Sequence, residues 1–177
     1  MVNDTSDLQL AIRKDQSIAA INGYAMGGGL DCALACDIRI AEQHAVTALP
    51  KATVGLLPCG VGTQHLPWLV GESWAKRIIL CGERVSADTA LNTGLIEEMV
   101  DKGQSLNKAL QLAEITGHQS PTSISACKRL IMAAKTDNLE SALPLERDEF
   151  VGLFSTVDQK EGVTAVLEKR KPIWKNA

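Results

Sequence analysis

Three consecutive glycines, Gly27-Gly28-Gly29, set the strongest constraint in the chain. They follow Ser17-Ile18-Ala19-Ala20-Ile21, a short apolar run of the kind a buried strand makes. They precede Cys32-Ala33-Leu34-Ala35-Cys36, which is small, helix-compatible and ends at Asp37. The triplet therefore stands at a strand-to-helix junction. Glycine there permits positive φ and lets a ligand approach the main chain closely. Unpaired N–H groups at a helix start can face a developing negative charge, which is how an oxyanion site is built. Taken alone, the triplet is equally well a tight turn. Two nucleotide-binding motifs are excluded. Gly23 and Gly28 have the Walker A spacing, but Gly29 and Leu30 stand where its lysine and Ser/Thr are required. No G-x-G-x-x-G spacing is present either.

A chain of 177 residues is long enough for one ordinary domain with a sizeable core. Hydrophobic residues at 45% and charged residues at 22% match globular averages. A net charge of −3 gives no electrostatic case for nucleic acid or an anionic membrane, and 3% aromatics argues against base-stacking platforms. No apolar run approaches a membrane span, and the N-terminus lacks the pattern of a secretory signal, so a cytoplasmic protein is expected. Five cysteines without metal-ligand spacing read as small buried thiols in a reducing compartment.

Around the triplet, Leu8, Leu10 and Ile12 alternate as an edge strand does, and Asp4 to Asp7 offers a helix cap. Asp37 to Glu42 alternates and predicts a half-buried strand, with His44 solvated in the turn after it. Ala45 to Leu49 is a second short extended run, stopped by Pro50. Pro50 to Gly62 is rich in proline and glycine and predicts an irregular loop with fixed turns, of the kind that carries chemistry on a rigid scaffold. Two short helices follow, broken at Gly71, with Trp68 and Trp74 as core anchors. Ser86 caps the next helix, Gly94 stops it, and Leu95 to Val100 is a short strand. The remainder is helical. Its expected inner faces include Leu106, Leu110, Leu112 and Ala113, then Ile124, Cys127, Leu130 and Ile131, then Leu143, Leu145, Phe150 and Phe154, and finally Gly162, Val163, Val166 and Leu167. Lys169-Arg170-Lys171 reads as a solvated helix end.

In four ordered blocks the chain resembles the enoyl-CoA hydratase/isomerase (crotonase) family: Ile21 to Gly29 with Cys36-Asp37, Pro50 to Gln64, Ser86 to Ala90 with Gly94-Leu95, and Glu161 to Pro172. The resemblance implies an α/β fold, a repeated ββα spiral with a helical C-terminal region. Residues 1–100 would form a partial crotonase core and 101–177 a helical oligomerisation region. It further implies an acyl-CoA substrate, no cofactor beyond the coenzyme A of that substrate, no metal, and a homo-trimer or hexamer. Gly28 would supply one of two N–H groups that hold the thioester oxygen, and Gly27, Gly28, Pro50 and Leu57 would contact substrate.

Three departures accompany the resemblance. The family's N-terminal third, with the other oxyanion donor, has no counterpart, so a shortened chain is expected. The first hydratase glutamate is replaced by Asp31, whose reach is shorter by about one methylene. The second is replaced by Lys51, a donor that cannot deprotonate water as a carboxylate does and that is expected to pair with Asp31. Gly28, Asp31 and Lys51 are the candidate catalytic residues. Isomerisation or decarboxylation stays open beside hydration, as does the alternative of a truncated paralogue that folds and oligomerises without turnover.

Overall fold

The computed structural model describes residues 8–13 and 16–177. The cap expected at Asp4 to Asp7 lies outside the described residues. In chain order, the first elements are β1 (Leu8–Arg13), β2 (Gln16–Ile21), β3 (Tyr24–Met26) and α1 (Gly28–Ala35). Next come β4 (Ile38–Glu42), β5 (Val46–Ala48), a 3-10 turn over Pro50–Val54, and α2 (Gly62–Leu80). Then follow β6 (Val85–Ser86), α3 (Ala87–Thr93), β7 (Glu98–Val100) and α4 (Ser105–Gly117). The chain finishes with α5 (Pro121–Ala133), α6 (Leu139–Leu153) and α7 (Val157–Leu167).

The strands form two sheets. One has the order β1-β2-β4-β7 and the other β3-β5-β6. Twice in succession, a strand of the first sheet is followed by a strand of the second and then by a helix, which is the expected ββα repeat. β2 runs parallel to β4 with Ile18 opposite Ile38, and β3 runs parallel to β5 with Ala25 opposite Thr47.

The run Ile18 to Ile21 is apolar at every position because both faces of β2 are covered. Ala19 and Ile21 join a core with Leu30, Leu34, Leu49, Leu66, Ile78 and Leu95. Ile18 and Ala20 join Ile40 and α4 residues Ala109 and Ala113. α4 faces this cluster with Ala109, Ala113 and the partly buried Leu112, while Leu106 and Leu110, expected inside, are exposed.

β4 is not half-buried as its alternation suggested. It lies between β2 and β7, parallel to both, and its polar residues are buried. Arg39 is satisfied there by donating from Nε to the Leu95 carbonyl (2.8 Å), from Nη1 to the Cys36 carbonyl (2.9 Å) and from Nη2 to Glu97. Glu42 accepts from the Ser105 hydroxyl at 2.8 Å and the Ser105 N–H at 3.3 Å, tying the end of β4 to the start of α4. α2 breaks where expected, at Gly71 (φ 77°, ψ 162°).

Residues Gln16–Ala113 with β1 to Ile12 form one compact unit, and Glu114–Ala177 belong to a second. In the second unit Ala126, Asp158 and Ala165 are buried. Asp158 accepts from the backbone N–H groups of Lys175 (2.7 Å) and Asn176 (3.1 Å) and from the Ser120 hydroxyl (3.2 Å). The apolar positions expected inside these helices are largely exposed: Ile131, Leu143, Leu145, Phe150, Phe154, Val163, Val166 and Leu167. Trp68 is also no core anchor, being 64% exposed. Trp74 is partly buried and carries the Arg77 guanidinium 4.1 Å from its ring centre. The cysteines are free thiols, exposed at Cys32, Cys59, Cys81 and Cys127 and partly buried at Cys36, so the expectation of buried thiols fails.

Candidate functional site

β3 delivers the chain into the glycine triplet. Gly27 caps α1 with φ 53° and ψ −113°, a backbone that an L side chain rarely adopts. Its own N–H donates to the Ala48 carbonyl at the end of β5 (2.9 Å), and its carbonyl accepts from Asp31 N–H (3.0 Å), the first helical bond of α1. That bond leaves the N–H groups of the preceding turn without intrahelical acceptors. Among the described residues the Gly28 N–H donates to no protein acceptor. A Cβ placed on Gly28 or Gly29 would meet no atom within 4 Å, so the helix start is open at these positions.

Lys51 reaches this turn from the connection between β5 and α2. Pro50 opens the 3-10 turn that carries it, and Gly55 closes that turn in the left-handed region at φ 73°. The Lys51 carbonyl accepts from Gly55 and Leu56, which fixes the backbone from which the side chain starts. Its Cε lies 3.4 Å from the position a Gly27 Cβ would occupy. The lysine stem thus lies against the glycine turn. Leu57, further along the loop, is exposed.

Asp31 has a different environment from the one expected. It is 6% exposed, and its Oδ1 accepts from Gly62 N–H at 3.1 Å. Gly62 is the first residue of α2, so the carboxylate takes up one of the unpaired donors at that helix start. Gly60 presses on the same side chain: a Cβ there would stand 2.6 Å from Asp31 Cβ and 2.8 Å from Cγ. A Cβ on Gly62 would stand 2.7 Å from Asp31 Oδ1. The expected Asp31–Lys51 ion pair is not formed among the described residues. The carboxylate binds the loop backbone instead, and the ammonium is left at the glycine turn.

Gly60 and Gly62 are the neighbours of Asp31, and with Val61 between them they lie in the Pro50 to Gly62 loop that the sequence marked without giving these three residues a role. Their signal was two glycines flanking one residue, beginning two positions after Pro58. Val61 between them has φ 150°, a strained backbone for a β-branched residue. His65 on α2 adds a link back to α1, its Nδ1 lying 3.0 Å from the Leu34 carbonyl. Among the described residues no group of three His, Cys, Asp or Glu side chains is placed to hold a metal. A cavity of about 340 Å³ lies in the second unit, lined by Ser120, Phe150, Phe154, Asp158 and Trp174, and none of the candidate site residues borders it.

The sequence model of the Enoyl-CoA hydratase/isomerase family matches residues 4–177. The chain belongs to that family. Among solved members of similar fold, DspI of Pseudomonas aeruginosa is 61% identical with a TM-score of 0.86, over 89% of this chain and 60% of that one. An enoyl-CoA hydratase from Bacillus anthracis is 38% identical with a TM-score of 0.86, over 90% of this chain and 62% of that one. The short-chain-enoyl-CoA hydratase of Clostridium acetobutylicum is 37% identical over 92% of this chain and 62% of its own length. The chain therefore spans about six-tenths of the length of these relatives. No helix among the described residues is long and apolar enough to cross a membrane.

Proposed function

We propose that the glycine turn binds the thioester oxygen of an acyl-CoA and stabilises the oxyanion or enolate that forms there. The observation that carries this reading is the Gly28 N–H, which has no protein acceptor at a position open to approach. A preorganised N–H aimed at developing charge is worth about 3 kcal/mol in a reaction of this type. Family membership supplies the substrate class. The protein needs no cofactor beyond the coenzyme A of its substrate, is cytoplasmic, and assembles as a homo-trimer or hexamer.

Within this reading hydration is disfavoured and enolate chemistry such as isomerisation or decarboxylation is favoured. Two-acid hydration needs carboxylates free to hold and deprotonate one water. Here Asp31 is engaged by Gly62, and Lys51 stands where family hydratases place a second glutamate. The same observation favours a second reading, an acyl-CoA-binding chain that oligomerises without turnover.

One titration tests the assignment. Crotonyl-CoA is added to the chain and to Gly28→Val in a calorimeter, and the absorbance of the conjugated thioester is followed in the same mixtures. Valine at position 28 has open space around its Cβ, so the melting temperature should stay close to that of the parent chain while binding weakens at least about tenfold. Equal affinity of the two proteins overturns the Gly28 assignment. The absorbance should hold nearly steady with the unmodified chain, and its rapid loss would show that Asp31 and Lys51 do support hydration.

A further inference from the structure

We infer that Lys51 makes the acyl site selective for short acyl-CoA thioesters whose acyl group carries a carboxylate. This inference rests on the proposed thioester-binding role of the Gly28 turn and adds the class of acyl group to it.

The geometry carries it in three steps. First, Lys51 starts from a rigid place. Its carbonyl is held by Gly55 and Leu56, and the Thr53 hydroxyl donates to the Pro50 carbonyl at 2.6 Å, so the 3-10 turn is closed from both ends. Second, its side chain runs to the glycine turn, with Cε 3.4 Å from the Gly27 Cβ position. The ammonium is one bond further on, so the stem carries its charge to the turn on which the proposed thioester would sit. Third, the charge is uncompensated. Among the described residues Lys51 makes no ion pair and donates no side-chain hydrogen bond, and the anion expected to pair with it, Asp31, is bound to Gly62 and wedged against Gly60. A partly buried ammonium beside a ligand site, lacking an anion of its own, favours a ligand that brings one. A lysine also acts as a compact point charge, suited to a single carboxylate near the chain start.

The test uses matched pairs of ligands with the chain as it stands: malonyl-CoA against propionyl-CoA, and succinyl-CoA against butyryl-CoA. Members of a pair differ by a carboxylate in place of a methyl group, so the charge of coenzyme A itself cancels. Calorimetry at low salt should give at least one charged member binding about tenfold more tightly than its partner, a preference that shrinks as salt is raised. Lys51→Met should abolish the preference, so that each charged thioester binds no more tightly than its uncharged partner in the same variant, and Lys51→Arg should keep it. Equal affinities within both pairs, or a preference that survives in Lys51→Met, would overturn the role of Lys51 and leave the thioester reading standing. Failure of all four thioesters to bind would overturn the thioester reading, and this inference with it.

Discussion

Gly60 and Gly28 are both loop-proximal glycines of the same site, and the structure asks opposite things of them. A methyl group on Gly60 would sit within 2.8 Å of two Asp31 carbons that lie close to the α1 backbone and cannot swing away. A methyl group on Gly28 would meet nothing within 4 Å. Gly60→Ala should therefore cost about 2 kcal/mol in chemical denaturation, the usual consequence of overpacking. Gly28→Ala should change stability by less than about 1 kcal/mol. Equal effects would contradict the placement of Asp31 against the loop. At this scale the sequence was legible where backbone demands a residue type, as at Gly27, Gly71 and Gly94, all with positive φ. It was not legible at Asp31. That an aspartate binds a backbone N–H thirty-one positions away depends on how two elements pack, and no local pattern encodes it. Trp68 was misread for a related reason: a large apolar side chain on a helix favours burial, but the face it occupies is decided by its neighbours.

Among the elements, β4 shows how a buried strand can read as a surface one. Asp37 and Arg39 alternate with Ile38 and Ile40 as on a solvated face, yet the Arg39 and Glu42 side chains are enclosed and bonded. Glu42 yields a pH prediction. Burial pushes its carboxyl upward, but donation from Gly103 and Ser105, with His44 nearby, outweighs this and holds it below its ordinary 4.5. A carboxylate lowered in the folded state stabilises fully above its unfolded value and loses that contribution as pH falls through the folded one. The advantage of the chain over Glu42→Gln should accordingly be about 2 kcal/mol near neutrality and fade below about pH 4.5. Thermal melts of both proteins from pH 7 to pH 3 would check this, and a gap independent of pH would refute it. The helices with explicit punctuation were the most legible elements. Ser86 accepts from Thr89 N–H and Gly94 ends α3 at φ 79°, as their residue types alone predict.

For the whole molecule, the ββα repeat was legible through the resemblance to the family, whereas the strand runs and glycine turns marked its elements only one at a time. The helical end was readable as helices but not as packing. Hydrophobic period locates an apolar face without saying what covers it, and in the described unit Phe150, Phe154, Val163 and Val166 stand exposed. Exposure on this scale is unusual for a monomer in water. Light scattering at micromolar concentration should therefore report a trimer or hexamer, and charged substitutions at Phe150 and Val166 should shift it toward monomer. A monodisperse monomer of the unmodified chain would refute the assembly proposal.

The wedge of Gly60 against Asp31 also bears on how such a site can change over generations. A glutamate at position 31 differs by one codon base and one methylene, yet its extra carbon must find room beside a loop that already touches Asp31 Cβ and Cγ. The step from aspartate to glutamate is thus conditional: the 60–62 loop has to move outward before the longer acid can be accommodated. Until then the shorter acid and the close glycine hold one another in place, and the two positions travel through sequence space as a linked pair.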